Sequence, residues 1–154
     1  MPLSDLLIPA AILPALRRPN KSALIAALVQ RASSITGLPQ AAIADAVTER
    51  EALGTTGFGG GIALPHGRLA GLAHSVGVFG RLDPPVAYDA LDHAPVDLAF
   101  LLLSPDGAGA EPLKALARVS RLFRDRALCA KLRGANNADS LFALLAGVPE
   151  ARAA

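Results

Sequence analysis

At 154 residues the chain fits one domain large enough to bury a real core, and 52% apolar against 4% aromatic content means a core built from Leu, Ile, Val and Ala. A formal net charge of +2 is too mild to argue for nucleic acid, and no platform of basic and aromatic residues is visible. The single cysteine, Cys129, cannot close an intramolecular disulfide, and no apolar run reaches the roughly 18–20 residues of a membrane span, so a cytoplasmic protein without membrane insertion is expected. The apolar stretch 6–13 lacks a basic flank, carries Asp5 before it and is interrupted by Pro9, which argues against a signal segment.

In chain order, residues 11–13 read as a short strand. Asn20 or Ser22 caps a helix in which Leu24, Ile25, Leu28, Val29, Ala32 and Ile35 recur at helical spacing, and Gly37 closes it. Pro39 suits the first turn of a second helix. Ile43, Val47 and Arg50 fall on one stripe of that helix. A guanidinium there is either an amphipathic arginine whose head reaches water or a cation held for an anionic group. Gly54 ends the helix and a glycine loop follows. Residues 62–64 read as a short buried strand that Pro65-His66-Gly67 stops, which sets His66 at a strand end before a polar connection through Gly71 and His74. A strand over 76–82, a turn at 83–85, a short extended piece at 86–88 and a turn at 92–95 come next. The clearest strand is 96–103, apolar throughout except for Asp97. After a loop over 104–110, a helix spans 111–123, with Pro112 in its first turn and a stripe of Leu113, Leu116, Ala117, Ser120 and Phe123. A shorter helix at 127–132 and a last one at 138–146, capped by Gly147, complete the set, and 147–154 reads as a frayed tail. Helices alternating with strands predict a single α/β domain, a central mixed β-sheet flanked by helices on both faces.

Chemistry concentrates in residues 50–67. Gly57, Gly59, Gly60 and Gly61 permit positive φ and can turn successive N–H groups toward an anion, and Gly67 removes a side chain from beside His66. A nucleotide loop is the first test. The Walker pattern needs a lysine, and none occurs between Lys21 and Lys114; in G-x-G-x-x-G the third glycine is replaced by Ile62 or Leu64, depending on the starting glycine. His66, His74 and His93 lack ligand spacing and Cys129 has no partner cysteine, so neither a metal nor a cofactor is expected. The G-x-S-x-G elbow of a serine hydrolase is absent. What remains is His66 with its loop and Arg50. A lone histidine can be purely structural, but a neutral imidazole is also nucleophilic near pH 7 and can form a phosphoramidate. Its second ring nitrogen would then need a hydrogen-bond partner, which the sequence does not name.

Arg50-Glu51, Gly54-Thr55-Thr56-Gly57-Phe58-Gly59 and Gly61-Ile62-Ala63-Leu64-Pro65-His66-Gly67 resemble the signature of enzyme IIA of the fructose/mannitol class (type 2) of the sugar phosphotransferase system. That class includes the nitrogen-related regulatory enzyme IIA. The likeness extends to Lys21 after the Leu6-Leu7-Ile8-Pro9 segment, to residues 89–92, 95–102 and 113–117, and covers a domain over 3–146. It implies a phosphoryl carrier. His66 would take a phosphoryl group from the phosphohistidine of an HPr-type phosphocarrier and pass it to a IIB domain or hold it as a signal. Arg50 would stabilise the phosphoryl charge, Thr56 would donate a hydrogen bond, and Gly57, Gly59, Gly60, Gly61 and Gly67 would form the phosphate loop. Two positions depart from the pattern. Pro112 stands where many members carry a second histidine, in an x-His-Leu-Lys run, and Gly60 stands where relatives often have Asn. The favoured expectation is nitrogen-branch regulation. The alternatives are a sugar-specific component feeding a IIB domain, a regulator acting by partner binding alone, and a generic anion-binding module.

Overall fold

The computed structural model describes residues 3–107 and 109–147; residues 148–154, expected to fray, lie outside the described residues. After a short 3-10 turn, strand β1 (Ile12–Leu16) leads to helix α1 (Lys21–Thr36). The Asn20 side chain accepts from the Ala23 N–H at 2.8 Å to start α1, and Gly37, at φ 76°, ends it. Helix α2 (Gln40–Leu53) begins directly behind Pro39, which takes the cap position rather than the first turn. Strands β2 (Gly57–Gly59), β3 (Ile62–Ala63), β4 (His66–Leu69), β5 (Val76–Val86) and β6 (Val96–Pro105) precede helices α3 (Glu111–Phe123), α4 (Arg126–Gly134) and α5 (Ala138–Ala146). Among the described residues no helix is long and apolar enough to cross a membrane.

The strands form one mixed sheet in the order β1-β5-β6-β3-β2, with β4 also alongside β6. β1 runs parallel to β5, β5 antiparallel to β6, and both β3 and β4 parallel to β6. Helices cover both faces, as alternation along β5 makes plain. Phe79 and its cross-strand partner Phe100 pack on Phe123 of α3, with ring centroids 6.0 and 5.8 Å away. The next residue, Gly80, points the other way: a Cβ there would lie 3.2 Å from Leu28 of α1. The α/β class and the two-sided helical cover are those the periodicity predicts.

Four further local readings change. The glycine loop is a tight hairpin, β2 against β3. His66 opens a strand of its own instead of ending one, because Leu64-Pro65 breaks the β3 edge and β4 resumes pairing along β6, His66 opposite Leu102. β5 continues through Pro84 and Pro85 to Val86. Both prolines fall where the register with β6 shifts, between Arg81 and Val86, where no ladder N–H is needed. In α3 the buried line is Pro112, Ala115, Val119 and Phe123, whereas Leu113 is 63% exposed. With Phe123 anchored on the sheet, Leu113 lies about 115° round the helix from the mean direction of the core line at 3.6 residues per turn.

Candidate functional site

β4 is bonded to β6 on one side, and the gap beside it is where the site forms. α2 lies on one face of the strand, in contact made close by Gly67: a Cβ there would meet the Cβ and carbonyl carbon of Ala46 at 3.1 and 3.2 Å. The start of α3 lies over the other. Between them opens a cavity of about 390 Å³ lined by Arg50 and Leu53 of α2, by His66, Gly67 and Arg68 of β4, and by Pro112, Leu113 and Leu116 of α3, among others. The structure thus brings together Arg50, His66 and Gly67 from the sequence-derived set, and adds Arg68.

His66 is half-buried, and its Nδ1 lies 2.8 Å from the Leu64 carbonyl oxygen. A carbonyl only accepts, so Nδ1 carries the hydrogen and Nε2 keeps its lone pair. The partner that sequence reasoning left unnamed is therefore backbone, two residues upstream, and invisible in side-chain patterns. Burial holds the His66 pKa below its ordinary value, and the Arg50 charge adds to this; the Leu64 carbonyl and the Glu51 charge oppose it without prevailing. The ring is thus neutral at pH 7. In an NMR titration the His66 midpoint is expected below the ordinary histidine value of about 6.5. The fold favours the neutral ring, so the stability His66 contributes is present above that value and lost as pH falls through the lower folded-state value. A midpoint at or above the ordinary value would contradict this electrostatic picture.

Arg50 sits in the last turn of α2, where one guanidinium nitrogen donates to the Gly54 carbonyl at 2.8 Å. A cation suits that end of the helix dipole, and the remaining donors of the fork stay available. Among the described residues no carboxylate pairs with it.

Thr56 and four of the glycines are placed elsewhere. Thr56 is buried and does not line the cavity; its hydroxyl donates to the Glu51 carboxylate and lies 3.1 Å from the Tyr88 hydroxyl. Glu51 also accepts the Thr56 N–H at 3.2 Å, the Tyr88 hydroxyl at 3.1 Å and the Lys21 ammonium at 2.9 Å. Lys21 in turn lies 4.4 Å from the centre of the Tyr88 ring. Burial pushes the Glu51 carboxyl upward, but its bonds to Thr56 and Lys21 outweigh that and hold it below the ordinary carboxylate range. Burial raises the Tyr88 phenol, so it stays a donor. Gly57 packs against Ala90 and Tyr88, the Gly60 N–H donates to Asp92 at 3.0 Å, and Arg133, paired with Asp97 at 2.7 Å, donates to the Gly60 carbonyl. The hairpin is held on its own side, and of the five loop glycines Gly67 alone lines the cavity. Sequence reasoning missed Tyr88, although it is the chain's one tyrosine. Among the described residues no group of three or more His, Cys, Asp or Glu could hold a metal.

The family described as "Phosphoenolpyruvate-dependent sugar phosphotransferase system, EIIA 2" matches residues 6–147. The chain is 46% identical over 154 residues to a nitrogen regulatory protein of Bradyrhizobium diazoefficiens, covering 100% of each. The crystal structure of nitrogen regulatory protein IIA-Ntr from Neisseria meningitidis superposes with a TM-score of 0.86 at 32% identity, over 92% of this chain and 97% of that one. Enzyme IIA for mannitol from Escherichia coli, in its complex with phosphorylated IIB, shares the fold at a TM-score of 0.76 and 17% identity, over 92% and 97% of the two chains.

Proposed function

From a chain that belongs to the enzyme IIA type-2 family of the phosphoenolpyruvate-dependent sugar phosphotransferase system, and so is a phosphotransfer component, we propose a phosphoacceptor at Nε2 of His66. The observation that carries this reading is the 2.8 Å bond from Nδ1 to the Leu64 carbonyl, which fixes the tautomer with Nε2 as the nucleophile on a cavity-lining residue. The donor is the phosphohistidine of an HPr-type phosphocarrier. As the donor N–P bond breaks, its electron pair returns to the donor nitrogen and the new bond forms from the Nε2 lone pair, while the proton stays on Nδ1, donated to the Leu64 carbonyl, which eases the positive charge the ring acquires. Arg50 neutralises the phosphoryl oxygens, since phosphoryl transfer is mostly positioning and charge stabilisation. Thr56 acts through Glu51 rather than on phosphate, and Gly67 serves by letting α2 approach.

The phosphorylated protein then acts as a regulator in a nitrogen-branch phosphorelay, a reading supported by full-length similarity to a nitrogen regulatory protein. Onward transfer to a IIB domain in sugar uptake is the second reading, favoured by the shared fold with a mannitol enzyme IIA described with phosphorylated IIB. Incubation with phosphorylated HPr-type carrier is expected to leave an acid-labile phosphate on the wild type and none on His66→Ala. Equal labelling of the two proteins, or an unlabelled wild type beside an active donor, would sink the assignment. A labelled protein that hands its phosphate to a IIB domain would favour transport over regulation.

A further inference from the structure

The floor of the cavity is one face of two paired strands. In the parallel register His66 lies opposite Leu102 and Arg68 opposite Ser104, and all four residues line the cavity. Gly67, between them, faces Ala46 of α2 instead. Arg68 therefore stands on the same face as His66, one alternate position along the strand, about 6.5–7 Å away at the backbone. The side chains of the opposite wall offer an anion no donor: Pro112 also lacks an N–H, and Leu113 and Leu116 are apolar. Arg50 approaches from the α2 side with one donor already given to Gly54. Arg68 is exposed, and among the described residues its guanidinium makes no hydrogen bond or ion pair. An arginine that reaches a small cavity with its whole fork unspent, beside a nucleophile, has the chemistry to grip a phosphoryl group bidentately.

We propose that Arg68 is a second phosphoryl-binding cation, closing on the group at His66 from the strand side while Arg50 holds it from the helix side. The inference rests on the phosphoacceptor reading above. It accounts for how the site works with Pro112 on the wall where a donor is missing. Arg68 takes no proton and forms no bond to phosphorus; it stabilises the oxygens while the bond to Nε2 forms and the leaving nitrogen departs with its electron pair.

The test uses two donors, phosphorylated HPr-type carrier and phosphoramidate, a small donor that loses ammonia and needs no protein docking. Arg68→Gln is expected to slow labelling about tenfold with both donors, on the scale of one charge-assisted bond, with Arg68→Lys partly restoring the rate. In ³¹P NMR the phosphoryl group on His66 should titrate at higher pH in Arg68→Gln, since a nearby cation favours the dianion. The melting temperature should stay at the wild-type value, because the side chain is exposed and unbonded. A rate within twofold of wild type with phosphoramidate, or an unchanged ³¹P titration, overturns the assignment, including the case in which only the protein donor is slowed and Arg68 serves docking. A wild type that neither donor labels overturns the phosphoacceptor reading and this inference together.

Discussion

Replacing Arg50 with alanine is expected to slow phosphoryl acceptance by His66 about 10–150-fold. The figure follows from one charge-assisted hydrogen bond, about 1.5–3 kcal/mol, acting on the transition state. Arg50 can exert that effect because it lines the same cavity as His66, and because the guanidinium bond to the Gly54 carbonyl leaves further donors on the fork. The cost to stability is small by comparison. A cation in the last helical turn is worth about 0.3–1 kcal/mol, and the Gly54 carbonyl it leaves is at an exposed residue where water can replace it. A second signature separates charge from shape. The Arg50 charge helps hold the His66 pKa down, so Arg50→Ala should raise the His66 midpoint, whereas Arg50→Lys should keep it nearly in place and recover only part of the rate. Single-turnover labelling together with an NMR titration of His66 reads both. Unchanged labelling by Arg50→Ala would remove Arg50 from the chemistry.

Much of the fold was written in local sequence. Helix starts and stops carry their own chemistry: Asn20 caps with its side chain and Gly147 with its freedom at positive φ. The long strand over 96–103, which the structure carries on to Pro105, is legible because it is buried across most of its length and needs no polar alternation. The errors come where tertiary pairing overrides local signal. Nothing local announces that β4 resumes after Pro65, since its pairing is supplied by β6, some 36 residues later in the His66–Leu102 register. In α3 the stripe that includes Leu113 differs from the buried line because Leu113 is exposed beside the cavity, not in the core. The site follows the same rule. His66 and Arg50 were legible from the glycine setting, the helical stripe and the resemblance. The resemblance puts Thr56 on phosphate; its partners in the structure are a carboxylate from the preceding helix and a phenol from 32 residues onward. Arg68 carries no motif signal at all, and only strand alternation places it beside His66.

The largest stability effect is expected at Glu51. Its carboxylate is 7% exposed and receives Lys21, the Tyr88 hydroxyl, and both the hydroxyl and N–H of Thr56. Removing one partner of a buried ion pair costs about 3–5 kcal/mol. Lys21 is 25% exposed and can partly rehydrate, so Glu51→Ala should fall near the lower end, about 3 kcal/mol, a melting shift of about 6–12 °C for a domain of this size. The effect reaches the nucleophile by a short path. Glu51 holds Thr56; the Thr56 carbonyl accepts the Leu64 N–H at 3.0 Å; the Leu64 carbonyl accepts Nδ1 of His66 at 2.8 Å. Glu51 is thus a positioning residue for the imidazole tautomer. Glu51→Gln separates the two roles, since an amide keeps a hydrogen bond to Thr56 but loses the charge. It should lower the His66 midpoint further, because the Glu51 charge is one of the influences raising it. It should also flatten the acid limb of the stability curve. Glu51 titrates below its unfolded value in the folded protein, so its contribution is present above the ordinary glutamate range and is lost as pH falls through the lower folded-state value. Chemical denaturation across pH, with the His66 titration alongside, measures both. A Glu51→Ala protein as stable as the wild type, with His66 titrating unchanged, would leave the network as mere packing beneath the site.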